Sequence, residues 1–149
     1  MDKWQIVYYE DEYNYSEIEV FLNSLSISSR SKVLSWISLL EEKGPTLPRP
    51  FADLLEDGIH ELRIKVQGEN ERILYFFLYK HYIILTHQFA KHVKKVPKAE
   101  IKKAQKCRDD IQKRYKNEKE LIAFIEKQVK QGVGKNENSP AISKRTVKK

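Results

Sequence analysis

The stretch from residue 59 to residue 89, IHELRIKVQGENERILYFFLYKHYIILTHQF, decides the fold class. Apolar and polar side chains alternate over residues 59–66, as in a strand with two different faces. Residues 72–79 are apolar on both faces, which is typical of a central strand. A third apolar run, residues 82–89, follows after another short polar turn. The stretch therefore predicts an antiparallel meander of three strands.

The preceding sequence adds a strand and two helices. Residues 4–9 (WQIVYY) are aromatic and β-branched, which predicts a first strand. Apolar residues at helical spacing then predict two helices. Ser16 is expected to cap the first helix, and Ser28 or Ser29 the second, which should end at Gly44.

Two further segments complete the predicted order. Residues 51–57 (FADLLED) predict one helical turn, and Pro97 opens a basic helix with a narrow apolar stripe. The order is β-α-α-β-β-β-α followed by a tail, which is an α+β layout.

Composition divides the 149 residues into a folded part and a tail. We expect one domain over residues 1–116, which is long enough to bury a real core. An additional helix is expected over 117–131, and a disordered basic tail over 132–149, where Gly, Asn, Ser and Lys predominate. On this division, residues 117–149 should be dispensable for folding.

Charge is distributed unevenly along the chain. Residues 1–62 hold 5 Lys/Arg and 12 Asp/Glu, a net charge of −7, whereas residues 87–116 hold 11 and 3, a net charge of +8. A cationic segment of this kind favours a polyanionic partner such as a nucleic acid. The alternative is that these lysines only solubilise a surface helix.

Other features limit the class of protein. The single cysteine, Cys107, excludes an internal disulfide and favours a reducing compartment. The sequence shows no signal-peptide pattern and no apolar run near the roughly 18 residues of a membrane helix. We therefore expect a soluble, cytoplasmic protein without a membrane partner. Zinc-ligand spacing, a P-loop, GxGxxG and GxSxG are all missing from the sequence.

One candidate anion site lies on the polar face of the strand over residues 59–66. If a four-residue turn closes the hairpin, Lys65 lies opposite Arg72. Arg63 then lies on the same face, opposite Leu74. Like charges across strands are destabilising, so a phosphate group would stabilise this patch. The alternative is that Glu61, or an acid from the first helix, neutralises it.

A second candidate group is HQFAKHVKK, residues 87–95. Histidine is the natural general acid or base near neutral pH, and His87 lies near the predicted end of a strand. The lysines that follow it would stabilise charge on a reacting phosphate. A histidine in such a position is more often structural than catalytic, and both readings stay open.

Four pieces of the sequence together resemble the phage-derived, HigB-like branch of the RelE/HigB toxin superfamily. The pieces are DGIHELRI (57–64), ERILYFF (71–77), ILTHQFAKH (84–92) and VPKAEIKKA (96–104). They are similar to an ELR strand, an R-x-x-YFF strand, an H-G-F-x-K-K turn and a T-P-x-x-E-I-x-x-A helix start. The chain departs from this pattern at Gln88, His92 and Val96, where the family has glycine, lysine and threonine.

The resemblance implies the toxin of a type II toxin–antitoxin system. Such a toxin is a ribosome-dependent mRNA endonuclease that needs no metal and no cofactor, and a cognate antitoxin, here expected to be a helix-turn-helix protein, inhibits it. The ribose 2′-OH attacks the adjacent phosphate while cationic side chains stabilise the developing charge. The residues expected in catalysis are Arg63, Arg72, His87 and Lys91. Those expected to bind RNA are Lys65, which is added from its strand face, and His92, Lys94, Lys95, Lys98 and Lys102.

Two other functions are compatible with the same sequence. One is a ParE-like toxin that binds DNA gyrase and cuts nothing, although such a protein would need no acid or base group. The other is an inactive or regulatory RNA-binding relative, which the changes at Gln88 and His92 favour.

Overall fold

A computed structural model describes residues 3–135 of the chain. The elements in chain order are β1 (Gln5–Tyr8), α1 (Glu17–Asn23), α2 (Ile27–Lys43), a 3-10 turn (Gly44–Thr46), β2 (Ala52–Glu56), β3 (Ile59–Val66), β4 (Glu69–Leu78), β5 (Tyr82–Ala90), α3 (Lys98–Arg114) and α4 (Glu118–Lys135).

The five strands form one sheet in the order β1-β5-β4-β3-β2. Strands β2 to β5 pair antiparallel with their sequence neighbours, whereas β1 pairs parallel with β5. A parallel pair needs a long crossover, and α1 and α2 provide it. The predicted meander and the α+β class are therefore confirmed.

Helices cover both faces of the sheet. One core lies between the sheet and the first two helices, and its fully buried members include Ile18, Val33, Leu40, Leu62, Ile73 and Leu85. The other core lies between the sheet and the last two helices, and it includes Leu74, Phe76, Ile84, Ala104, Leu121 and Ile125. Burial on both faces explains why β4 and β5 are apolar along most of their length.

The helical turn predicted for residues 51–57 is wrong. Residues 52–56 form β2, which pairs with β3 so that Ala52 lies opposite Leu62 and Asp53 opposite Glu61. Local propensity in FADLLED is weak, and pairing with a neighbouring strand overrides it.

Helix capping agrees with the prediction at α1 and differs at α2. The Ser16 hydroxyl accepts a hydrogen bond from the Glu19 amide at 3.1 Å, as expected. At α2 the cap is Ser26, which accepts from the Ser29 amide at 3.2 Å, so the prediction of Ser28 or Ser29 is wrong. The helix ends at Gly44 as predicted, at a φ of +55°, where an added Cβ would lie 2.4 Å from Trp4 Nε1.

The turn between β3 and β4 is shorter than predicted. Residues 67–68 alone form it, both at positive φ (+53° and +80°), as a tight two-residue hairpin requires. Lys65 therefore lies opposite Asn70 rather than Arg72, and Arg63 lies directly opposite Arg72. The predicted register is thus wrong, although Arg63 and Arg72 do share a face.

Helix α4 belongs to the packed domain. Its Leu121 and Ile125 are buried against the sheet, so the residues after 116 contribute to the core. Residues 132–135, expected in the disordered tail, continue this helix, and residues 136–149 lie outside the described residues. Within residues 3–135, we find no helix whose length and apolar character would let it cross a membrane.

Candidate functional site

Two arginines lie side by side on the sheet. Arg63 on β3 and Arg72 on β4 are direct cross-strand partners, so their side chains leave the sheet on the same face. This is the face that α3 and α4 cover elsewhere, as the neighbouring Leu74 shows. The Arg63 side chain is 35% exposed and that of Arg72 is 12% exposed, so both reach the surface from a partly buried position.

A single buried carboxylate joins the two arginines. Glu61 is only 2% exposed. Its Oε2 accepts a hydrogen bond from Arg63 Nε at 2.9 Å, and its Oε1 accepts one from Arg72 Nε at 3.0 Å. Glu61 thus offsets one of the two positive charges, in part as the alternative interpretation proposed, and the three groups together keep a formal charge of +1.

The outer edges of the two guanidinium groups are only partly occupied. Arg72 Nη1 donates to the Glu71 carbonyl at 3.1 Å, and Arg63 Nη2 lies 3.5 Å from Asp53 Oδ2. A hydrogen bond from Arg49 at 2.9 Å, together with the charges of Arg49 and Arg63, lowers the pKa of Asp53. Among residues 3–135, no acceptor contacts Arg63 Nη1 or Arg72 Nη2.

Phe89 on β5 extends this row of side chains. It lies directly opposite Arg72, so Arg63, Arg72 and Phe89 follow one another across three neighbouring strands on the same face. Neither Phe89 nor the Glu61 bridge was predicted as part of the site. The HQF tripeptide contains Phe89, but only the strand register places it beside an arginine.

A β-bulge directs His87 to this same face. Leu74 pairs with His87, but the next residue, Tyr75, pairs with Leu85, so Thr86 is an extra residue on β5. The bulge shifts the alternation of β5 by one residue from that point. Without it, His87 would point to the face covered by α1 and α2.

The environment of His87 does not fit the acid/base role expected for it. Its side chain is 1% exposed, its Nε2 lies 2.9 Å from Glu100 Oε1, and its Nδ1 lies 3.0 Å from Thr86 Oγ1. Burial lowers its pKa, against the opposing effect of the Glu100 hydrogen bond. A neutral imidazole can donate from Nε2–H to Glu100. The Thr86 hydroxyl has one proton, which it donates either to His87 Nδ1 or to the Leu74 carbonyl at 3.2 Å. In this conformation the ring contacts α3 rather than solvent.

The other residues expected in catalysis (Lys91) or in RNA binding lie on β3, in the loop between β5 and α3, and on α3. The Lys91 amide donates to the Asn70 carbonyl at 2.7 Å, which ties the start of the β5–α3 loop to the beginning of β4. His92 lies 3.9 Å from Glu69 at an exposed position. The remaining expected lysines are all exposed: Lys65 on β3, Lys94 and Lys95 in the loop, and Lys98 and Lys102 on α3.

Gln88, which replaces the glycine of the family pattern, lies in a strand. Gln88 lies within β5, on the face opposite His87, and its Nε2 donates to Glu71 Oε1 at 2.5 Å. The turn that the family pattern places at this position is therefore not formed at Gln88, because the strand continues to Ala90.

Comparison with known proteins identifies the family. Residues 20–109 match a family described as phage-derived protein Gp49-like, and a search of curated proteins found no match. The matched range contains strands β2 to β5, the arginine pair, Glu61 and Glu100. The family lies within the RelE/HigB-like toxin superfamily and is consistent with the toxin of a toxin–antitoxin system. Because the match spans well over half of the 149 residues, the chain belongs to the phage-derived Gp49-like family.

Proposed function

We propose that this protein is a toxin that cleaves mRNA on the ribosome as a metal-independent endoribonuclease. The observation that carries the proposal is the pair Arg63 and Arg72, adjacent on one face of the sheet. Each has one Nη group, Arg63 Nη1 and Arg72 Nη2, that no described residue contacts. Membership of a RelE-type toxin family supports the reaction class.

The chemistry needs charge stabilisation more than a nucleophile from the protein. The ribose 2′ oxygen forms a bond to the adjacent phosphorus and loses its proton to solvent water, and the bond from phosphorus to the 5′ oxygen breaks. The products are a 2′,3′-cyclic phosphate and a 5′ hydroxyl, which takes up a proton. Negative charge grows on the phosphoryl oxygens in between, and charge-assisted hydrogen bonds from Arg63 and Arg72 would stabilise it.

The surroundings of the arginine pair fit a single-stranded RNA substrate. Phe89, beside Arg72, offers an aromatic ring on which a base can stack. The exposed Lys94 and Lys95 would contact neighbouring phosphates, and Lys65 extends the cationic surface along β3. This combination of cations and an aromatic ring favours RNA over a purely protein partner.

Proton transfer is assigned to Lys91 rather than His87. The Lys91 backbone is held beside the start of β4, and an ammonium group can donate a proton to the departing 5′ oxygen. His87 is buried against Glu100, so we assign it a structural part in orienting β5 and α3.

The family implies a cognate antitoxin as partner. As part of the same proposal, this antitoxin is a helix-turn-helix protein, and the toxin acts in the cytoplasm, where translated mRNA is found. The cationic patch around Arg63 and Arg72 is the surface that an inhibitor of cleavage would need to block.

The test is induction of the protein in a bacterial host, followed by sequencing of mRNA 5′ ends. We expect new cuts at codon-linked positions with the wild type and none with Arg72→Ala. Arg49→Ala is the matched control, since this arginine is exposed and its one ion pair within the described part of the chain is with Asp53. RNA cuts should persist in this variant.

Other outcomes would replace the proposal. Growth arrest with signs of DNA damage and no RNA cuts would indicate a gyrase-directed toxin. Neither arrest nor cuts would indicate an inactive or regulatory relative.

A further inference from the structure

We propose that Glu61 is a positioning residue that holds Arg63 and Arg72 so that together they form a single binding site for one phosphodiester group. This inference rests on the proposed function for its role in cleavage. The arrangement itself can be tested without any cleavage. Glu61 touches no substrate in this scheme and acts only through the two guanidinium groups.

The geometry of the guanidinium group carries the argument. It is planar, with its N–H groups in a rigid fork, so the direction of the Nε–H bond sets the directions of both Nη groups. Glu61 holds both Nε atoms, one on each carboxylate oxygen. Because this carboxylate is almost fully buried, whereas the side chains of Arg63 and Arg72 are 35% and 12% exposed, we infer that Arg63 Nη1 and Arg72 Nη2 lie on the surface side of the bridge. Neighbouring strands are about 4.8 Å apart, which brings both forks within reach of one phosphate.

Electrostatics explains why an acid is needed at this point. Two arginines directly opposite each other repel and would separate without a counter-charge. A buried carboxylate is itself unfavourable unless it is paired and hydrogen-bonded, so Glu61 and the arginines stabilise one another.

Asp53 does not perform the same task. Its Oδ2 lies 3.5 Å from Arg63 Nη2, and its closer partner is Arg49. No contact joins Asp53 to Arg72 among the described residues. Asp53 therefore contributes charge at the rim, whereas Glu61 determines geometry.

This difference makes Asp53→Asn a matched control for Glu61→Gln. Each substitution removes one negative charge from the same patch, but only the second breaks the bridge, since an amide oxygen cannot replace both carboxylate oxygens. Glu61→Asp keeps the charge and shortens the side chain by one methylene group, so it tests reach alone.

The first measurement is NMR of the arginine Nε–H groups in the free protein, with titration of inorganic phosphate. In the wild type and in Asp53→Asn we expect the Nε–H signals of Arg63 and Arg72 to be protected from exchange with solvent. Their chemical shifts should change together as phosphate is added. In Glu61→Gln at least one signal should lose protection, and the two should respond at different phosphate concentrations. Unprotected signals in the wild type, or unchanged signals in Glu61→Gln, would overturn the inference.

The second measurement is the kinetics of RNA cleavage. Glu61→Gln should lower kcat by about tenfold or more while KM stays the same or falls, because the patch becomes more cationic but less ordered. Asp53→Asn should change kcat by less than about threefold. Equal loss of kcat in both variants, or no loss in Glu61→Gln, would contradict positioning by Glu61.

Failure of the two proposals can be told apart. If the wild type cleaves no RNA, the proposed function is wrong. The NMR titration still decides whether Glu61 organises a phosphate-binding site. If Glu61→Gln does not fold, Glu61→Asp is measured in its place, and protected signals that still respond together would overturn the inference.

Discussion

His87 on β5 and Glu100 on α3 meet with 2.9 Å between Nε2 and Oε1. This contact joins the bulged part of the sheet to the first turns of the helix that follows it. The face that carries Arg63 and Arg72 is thereby bounded by a buried histidine whose pKa is lowered by desolvation. The domain should consequently lose stability in mildly acidic solution.

We expect the free energy of unfolding to fall as the pH drops below about 6.5, the ordinary pKa of histidine. Because burial lowers the pKa of His87 in the folded state, the unfolded chain takes up the proton first. The stabilisation is complete above the unfolded pKa and is lost as the pH falls toward the folded pKa, with a slope of up to about 1.4 kcal/mol per pH unit. His60, whose pKa burial also lowers, acts in the same direction.

Urea denaturation at about pH 7.5 and about pH 5.5 measures this dependence. His87→Gln should reduce the difference in stability between the two conditions and leave the contribution of His60. The same difference in wild type and variant would show that His87 is not the titrating group.

Arg72→Ala should abolish cleavage and also weaken the fold. It leaves Glu61 buried with one partner instead of two, which we expect to cost about 1–3 kcal/mol of unfolding free energy. Loss of a charge-stabilising group should lower kcat by about a hundredfold or more. Arg49→Ala, at a side chain that is 73% exposed, should change stability by less than about 0.5 kcal/mol. Denaturation and cleavage assays on both variants check this, and equal effects would refute the assignment.

Leu121→Ala should destabilise the domain by about 2–5 kcal/mol, because Leu121 is fully buried between α4 and the sheet. The neighbouring Ile122 is 36% exposed, and Ile122→Ala should cost far less. Thermal melts of the two variants give the comparison. Similar melting temperatures would mean that α4 does not contribute to the core.

Truncation of the chain also tests whether α4 contributes to the core, with a larger expected loss of stability. A chain ending at residue 116 loses Leu121 and Ile125 from the core and should melt at a much lower temperature or without cooperativity. A chain ending at residue 135 retains α4 and should melt like the full-length protein. A cooperative, wild-type melt of the shorter chain would restore the expectation that residues 117–149 are dispensable.

Cys107 should be unreactive in the native state. Burial raises the pKa of its thiol to about 12, so almost no thiolate is present near neutral pH. A colorimetric thiol reagent should label the protein slowly at about pH 8 and rapidly after denaturation. Rapid labelling of the folded protein would show that the helix face around Cys107 opens.

Sequence patterns predicted the elements with long, regular signals. The alternation in residues 59–66 and the apolar runs after it identified the meander, and Ser16 identified the start of α1. Predictions that rested on short or weak sequence patterns were wrong. FADLLED became a strand because β3 offers a partner. The α2 cap, Ser26, lies two or three residues nearer the N-terminus than the predicted Ser28 or Ser29. Three serines are close together there, and the local pattern does not distinguish them.

The candidate site shows the same difference between what the local pattern predicts and what it does not. That Arg63, Lys65 and Arg72 lie on strands of the meander follows from the order of residues, because strand patterns assign each of them to a strand and a face. Which side chains meet is a matter of register. A two-residue turn places Arg63 opposite Arg72, and a bulge at Thr86 turns His87 toward Glu100.

The sequence by itself determined the family, the α+β class, the separation of acidic and basic segments and the strands that carry Arg63 and Arg72. Only the tertiary structure decided that Glu61 bridges both arginines, that Phe89 lies beside them and that His87 is buried. The physical reason is that periodicity is a local property of the chain, whereas hydrogen bonds and burial depend on residues from different strands and helices. A shift of one residue in register changes every such contact.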